Sequence, residues 1–134
     1  MAYYKLMHEL WNDKGSVAPW EVKKEVARKA KQFTGYNQQD SSEFLNFLID
    51  TLHEDLNLIK DKPYIEAKDS NGRPDDVVGE EYWNNFLRRN KSVLVALMYG
   101  QLKSRLNCLT CGRVSNTFDP FAILSLPIPV TLEI

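Results

Sequence analysis

The sequence has little of what marks the more specialised protein classes. Its 134 residues hold two cysteines, Cys108 and Cys111, so no disulfide framework supports the fold. A reducing, intracellular setting, cytoplasmic or nuclear, is therefore expected. Blocks of like charge are missing: 17 Lys and Arg stand against 18 Asp and Glu, for a formal charge of −1. With no basic stripe to neutralise phosphates, nucleic acid is not an expected partner. Apolar runs fall far short of the about 20 residues that a membrane-spanning helix requires, so no membrane span is expected. Met1 to Leu10 mixes Lys5, His8 and Glu9 with apolar residues, which is a helix pattern and not a signal peptide. Internal repeats and low-complexity linkers are absent too. What is present, 43% hydrophobic and 26% charged residues, suits one globular domain or part of a larger one.

The first part of the chain, 1–98, reads as helical. Tyr3, Leu6, Met7 and Leu10 recur at helical spacing up to the breaker Gly15. Pro19 can open a second helix at its first position, followed by Trp20, Val22, Val26 and Ala30. Gly35 interrupts the chain before the polar run Asn37 to Ser42. A third helix is expected from about Asp40 to Ile59, with Phe44, Leu45, Leu48, Ile49, Leu52, Leu56 and Ile59 on one face. A loop follows from Tyr64 to Asp76, with a turn at Asn71-Gly72. Helix resumes from Val77 to Leu97, breaking near Asn90 to Ser92, where Ser92 can cap a short second piece. From Gly100 the period changes to two. Leu102, Ser104, Leu106 and Cys108 alternate with Gln101, Lys103, Arg105 and Asn107, so 99–134 is expected to begin a sheet. Arg113 to Phe118 is the return strand, a third apolar segment runs from Phe121 to Ile128, and Val130 to Ile134 ends as a bare apolar strand. Helices first and strands last make an α+β unit that looks cut, with a strand edge open to self-association.

Several residues invite chemistry. Asp40 and Glu43 have the spacing of a capping box, in which each side chain satisfies an orphan N–H of the helix start. Cys108-x-x-Cys111 followed by Gly112, at a strand-to-strand turn, has the form of a zinc knuckle. A tetrahedral structural site takes four ligands and this pair is half of one; neither His8 nor His53 stands at a spacing that would replace the others. A redox motif would want a helix starting there, against the strand pattern. His53 reads as a helix-surface histidine with no Cys or Ser at a spacing suited to base catalysis. Asp75-Asp76 and Glu80-Glu81 are charged helix-start residues before they are a glycosidase pair. Trp20, Trp83, Phe86 and Phe118 are expected in the core, and Pro127 and Pro129 to shield Ile128 from further pairing.

Five ordered runs carry a resemblance. Phe33-Thr34-Gly35-Tyr36-Asn37-Gln38-Gln39-Asp40-Ser41-Ser42-Glu43-Phe44-Leu45 looks like the glutamine box of the ubiquitin-specific proteases, and Leu52-His53-Glu54-Asp55-Leu56-Asn57 continues it. Gly100-Gln101-Leu102-Lys103-Ser104 leading to Cys108-Leu109-Thr110-Cys111, then Phe118-Asp119-Pro120-Phe121 and Leu124-Ser125-Leu126-Pro127-Ile128-Pro129, complete the set. From about Tyr4 to Pro129 the chain resembles the catalytic domain of these papain-like cysteine deubiquitinases. Lys62-Pro63-Tyr64-Ile65 and Gly72-Arg73-Pro74-Asp75 are similar to the subgroup with a ubiquitin-like insertion.

The resemblance implies a partial papain-like cysteine protease fold, a helical thumb followed by the first finger and palm strands. It also implies ubiquitin or ubiquitinated proteins as partners. Gln38, Asp40 and Glu43 would contact ubiquitin's extended cationic tail, and Cys108 and Cys111 would be half of a zinc site completed by a second pair farther on. The family's nucleophile box, Asn-x-x-x-Cys, and its His motif have no counterpart in matching positions of the 134 residues. They are expected upstream of Tyr4 and downstream of Ile134, leaving this segment no catalytic residue and no hydrolase activity alone. A non-catalytic ubiquitin-binding module and a purely structural scaffold are the rival expectations.

Overall fold

A computed structural model describes residues 1–12, 15–66 and 68–127. Helices come first and a two-stranded antiparallel sheet follows, the expected α+β class. The expected terminal strand Val130 to Ile134, and the shielding of Ile128 by Pro129, lie outside the described residues. Two compact units divide the chain, Met1–Leu48 and Ile49–Ile134.

In the first unit, α1 (Ala2–Asn12) and α2 (Trp20–Lys29) are followed by a short 3-10 turn, Lys31–Phe33, and by the start of α3 (Ser41–Leu56). Pro19 stands just before α2 as its cap, one position earlier than expected. Val26, Ala30 and Phe33 are buried together, with Val22, Phe44 and Phe47 packed against them. The Phe33 ring meets Phe44 edge-on at 5.3 Å and Phe47 at 5.8 Å, geometries favoured by the ring quadrupoles. Trp20 does not join this core and is 63% exposed. The inward stripe of α2 runs Val22, Val26, Ala30, and a residue two places before Val22 lies roughly 200° around the helix.

The second unit holds the end of α3, α4 (Asp75–Leu87), α5 (Val93–Met98), β1 (Gly100–Asn107) and β2 (Val114–Phe121). The strands pair in one register, from Gly100 opposite Phe121 to Asn107 opposite Val114. Val78 and Gly79 of α4 are buried, and a Cβ at Gly79 would stand 3.3 Å from the Phe118 ring of β2. The missing side chain lets α4 lie close on the sheet, where Gln101 Nε2 donates to the Gly79 carbonyl at 3.1 Å. Trp83, Phe86 and Tyr99 form a stacked row, 5.3 and 5.6 Å between successive rings. As expected, Ser92 starts α5, its hydroxyl accepting the Val95 N–H at 3.2 Å.

Two expectations about α3 are corrected. The helix stops at Leu56 and not at Ile59, because Asn57 turns its side chain into the backbone. Its Oδ1 accepts from the N–H groups of Ile59 at 3.1 Å and Lys91 at 2.9 Å, and its Nδ2 donates to the Arg89 carbonyl at 3.0 Å. A short amide that competes this well for backbone groups ends helices. His53 is not on the surface; it is 5% exposed, four residues after the buried Ile49 and therefore on the same face. Its Nε2 lies 3.2 Å from Asn90 Oδ1 and its Nδ1 2.8 Å from Ser92 Oγ. Asn90 donates its amide to the Phe86 carbonyl at 3.0 Å, so its oxygen faces His53. This network assigns the proton to Nε2 and leaves Nδ1 accepting from the Ser92 hydroxyl.

Tyr99 donates its hydroxyl to Asp50 Oδ1 at 3.2 Å. Burial, and then the Asp50 carboxylate, push its phenol up to about 12. A phenol pKa raised above its unfolded value of about 10 means the folded state keeps the proton longer. The stabilisation is complete below pH 10 and is lost as pH climbs through about 12. In an alkaline absorbance titration, one of the six tyrosines should ionise after the others, and Tyr99→Phe should remove that late step. A late step that survives the substitution contradicts this assignment.

Candidate functional site

The polar run Asn37 to Ser42 is fully on the surface of the first unit, reached through Gly35 at φ +83°. Positive φ is cheap for glycine alone, and it lets the chain turn from the buried Phe33 to the start of α3. Asp40 caps that start. Its Oδ1 accepts from the Ser42 hydroxyl at 2.7 Å, the Ser42 N–H at 2.7 Å and the Glu43 N–H at 3.2 Å. The Ser42 hydroxyl, then the two N–H groups, hold the Asp40 carboxyl below the usual carboxylate range. The charge is thus held on while its second oxygen stays out of the cap.

Only half of the expected capping box forms. Glu43 does not return to the Asp40 N–H; its Oε1 accepts from Gln32 Nε2 at 3.4 Å. Both carboxylates and Gln38 are exposed at one end of α3. Beside them a cleft of about 370 Å³ is lined by Val22, Val26, Phe33, Tyr36, Gln39 and Phe44. The Lys23 ammonium lies 3.9 Å from the centre of the Tyr36 ring, a cation–π contact. Residues 31–45 include no Cys and no His. The chemistry available in that stretch is recognition of cationic or hydrogen-bonding groups.

In the second unit, Cys108 and Cys111 sit on the turn between β1 and β2, both exposed as free thiols. Cys108 N–H donates to the Arg113 carbonyl and Gly112 N–H to the Cys108 carbonyl, each at 2.9 Å, with Gly112 at φ +69°. Backbone hydrogen bonding from Cys111 and Thr110, and then the Cys111 thiol, hold the Cys108 thiol below its usual range. A pair of soft sulfurs on one tight, exposed turn fits a zinc ion, whose ligands are thiolates. It fits as half a set: no three His, Cys, Asp or Glu gather in metal-holding geometry among the described residues. His53 is committed to Asn90 and Ser92.

The loop before α4 straps this hairpin in place, which the sequence pattern did not disclose. The Asn71-Gly72 turn forms with φ +45° and +72°. On its flanks Asp69 pairs with Arg113, Asp75 pairs with Lys103, and buried Ser70 Oγ accepts the Asn116 N–H at 3.3 Å. Arg73 pairs with Glu81 at 2.5 Å. The acids Asp75 and Glu81 are thereby used as structural ion pairs. The signal for this strap was the Asp-Ser-Asn-Gly turn grammar; its partners, more than 40 residues away in Arg113 and Asn116, were not readable.

The chain is similar to known proteins along almost its whole length. Residues 1–132 match the family described as ubiquitin carboxyl-terminal hydrolase. The chain is 56% identical over 133 residues to ubiquitin carboxyl-terminal hydrolase 9 of Arabidopsis thaliana, which covers 98% of the chain and 15% of that protein. It is 52% identical over 129 residues to ubiquitin carboxyl-terminal hydrolase 32 of Homo sapiens, 96% of the chain and 8% of that protein. Against ubiquitin carboxyl-terminal hydrolase 15 of Bos taurus it is 51% identical over 133 residues, 98% and 14%. The chain spans 8 to 15% of the length of these relatives. Similarity at this level along almost every residue establishes that the chain belongs to the ubiquitin carboxyl-terminal hydrolase family.

Proposed function

We propose that the chain is a segment of a deubiquitinating cysteine protease that helps to hold the C-terminal tail of ubiquitin. The observation that carries this reading is the pair of exposed carboxylates, Asp40 and Glu43, on the first turn of α3, with Gln38 beside them. Ubiquitin's tail is extended and cationic, and its arginine groups and free backbone are what two carboxylates and an amide recognise. Cys108 and Cys111 would supply two of four zinc ligands, and the metal's part is to clamp the hairpin. The nucleophilic thiol, its histidine base and the orienting group belong to parts of the enzyme other than these residues. Hydrolysis of the bond after ubiquitin's last glycine is the reaction of the assembled domain, to which this segment contributes binding and no proton transfer.

The test is an NMR titration of isotope-labelled ubiquitin with the chain, repeated with ubiquitin lacking its tail. Weak binding is expected, with perturbations concentrated in the tail and abolished by its removal, and no cleavage of a ubiquitin substrate. Perturbations unaffected by tail removal, or none at high chain concentration, would leave a scaffold without the proposed role.

A further inference from the structure

We propose that Gln32 is a positioning residue for tail recognition: its side-chain amide holds one oxygen of Glu43 and so presents the other to a cationic tail. The inference rests on the tail-binding reading of Asp40 and Glu43 and adds what sets the second carboxylate. Three observations carry it.

The first is the contact itself. Gln32 Nε2 donates to Glu43 Oε1 at 3.4 Å, across 11 residues of chain. An ionised carboxylate only accepts, so the amide turns its NH2 group, not its oxygen, toward Glu43. The contact uses Oε1, and Oε2 is the oxygen that can meet a ligand. Asp40 is arranged in the same way: Oδ1 takes the Ser42 and Glu43 N–H groups, and its other oxygen stays out of the cap. At the start of α3 each carboxylate thus has one oxygen tied to the protein.

The second is what brings the two partners together. Gln32 and Glu43 are both exposed, but each is followed directly by a phenylalanine packed inside. Phe33 is buried, and its ring meets Phe44 edge-on at 5.3 Å. This aromatic pair fixes the backbone on both sides of the contact. Gln32 therefore stands beside Glu43 before any ligand arrives.

The third is the kind of donor. A lysine or arginine at position 32 would also hold Glu43, but it would cancel the charge that a tail guanidinium seeks. An amide is neutral, and it orients the carboxylate without neutralising it. At 3.4 Å the bond is long for N–H···O, so it restrains Glu43 and still lets it adjust to an arriving cation. A glutamate already restrained loses less entropy on binding than one swinging in water. Released, Glu43 has a competing place to go. Three residues after the capping Asp40, it can turn back to the Asp40 N–H and complete the capping box.

The test is tail binding by the 134-residue chain, read by NMR titration of isotope-labelled ubiquitin. The parent, Gln32→Met, Glu43→Ala and the double variant are compared. Methionine keeps the length of the side chain and removes the donor. Gln32→Met should weaken tail binding by about twofold to tenfold, the range for freeing one rotamer-rich side chain. In the Glu43→Ala background, with no carboxylate to position, it should weaken binding no further. Its thermal midpoint should hold or rise, and hydrogen exchange of the Asp40 amide should slow as Glu43 completes the box. Gln32→Lys should weaken binding as well, because the ammonium occupies and neutralises the carboxylate. Equal binding by Gln32→Met and the parent overturns the positioning role and leaves the tail reading standing. Weakening of the same size in both backgrounds makes Gln32 a structural residue and also overturns the role. A parent chain that does not bind the tail overturns both.

Discussion

Asn57→Ala should destabilise the second unit by about 3 kcal/mol, a large effect for one polar side chain. Asn57 is 2% exposed and serves three backbone groups at once: the N–H of Ile59, the N–H of Lys91 and the carbonyl of Arg89. Leu58 N–H bonds the Lys91 carbonyl beside it at 2.9 Å, so the chain leaving α3 and the chain entering α5 share one clasp. An alanine methyl leaves all three groups without a partner, each costing about 1–3 kcal/mol if it stays dry. The lower end of that range applies, because Leu58 and Lys91 are exposed and water can reach some of the freed groups. Asn57→Asp keeps the acceptor for both N–H groups but turns a carboxylate oxygen toward the Arg89 carbonyl, so it too should destabilise. Urea unfolding gives the size of the loss, and hydrogen exchange should show the Lys91 and Ile59 amides opening first. A change under about 0.5 kcal/mol, the range of ordinary surface substitutions, would show that the clasp is not needed.

Asp40 allows capping and recognition to be separated. Asp40→Asn keeps an oxygen that can accept from Ser42 and Glu43, so α3 should keep its start and its thermal midpoint. Asp40→Ala removes the acceptor and should lower the midpoint. On the proposed function, both variants lose the charge that faces the ubiquitin tail. Each should weaken tail binding roughly tenfold or more, the scale of one charge-assisted hydrogen bond. Glu43→Gln should do the same without touching the cap. If Asp40→Asn binds ubiquitin as the parent does and Asp40→Ala does not, the residue acts through the helix alone. The pH dependence has a definite sign. The folded carboxyl is lowered, so its contribution is present above the unfolded value of about 3.9. It is lost as pH falls through the lower folded value. Fraying of α3 and loss of tail binding should therefore appear together on acidification.

How far the sequence was legible depends on the range of the interaction. Ser92 at the start of α5, the Asn71-Gly72 turn and the return of β2 after Gly112 were all readable, because caps and turns are set by residues within three or four positions. The capping box was half readable. Asp40 caps within its own turn, but Glu43 found Gln32 from another element. His53 was misjudged as surface, and Asn57 was passed over inside the expected helix, for the same reason: a polar residue at a helical position shows its role only when its partners are known. Those partners, Ser92, Asn90, Arg89 and Lys91, lie 32 to 39 residues away. The apolar stripe overcounted in return, since Leu45 and Leu56 are 45% and 50% exposed. Gly79 carried no signal at all, because its role is the space it leaves for Phe118.

The order of helices and strands, the family, and the candidate residues Gln38, Asp40, Glu43, Cys108 and Cys111 follow from the sequence, since periodicity, turn chemistry and ordered motifs are local in the chain. Tertiary structure decided which polar groups go inside and which charges remain free. It set His53 between Asn90 and Ser92, closed α3 with Asn57, and tied Asp69 to Arg113 below the cysteine turn. A buried polar group is tolerable only where hydrogen-bond partners replace water. Those partners come from distant segments, so their positions emerge only when the chain has folded.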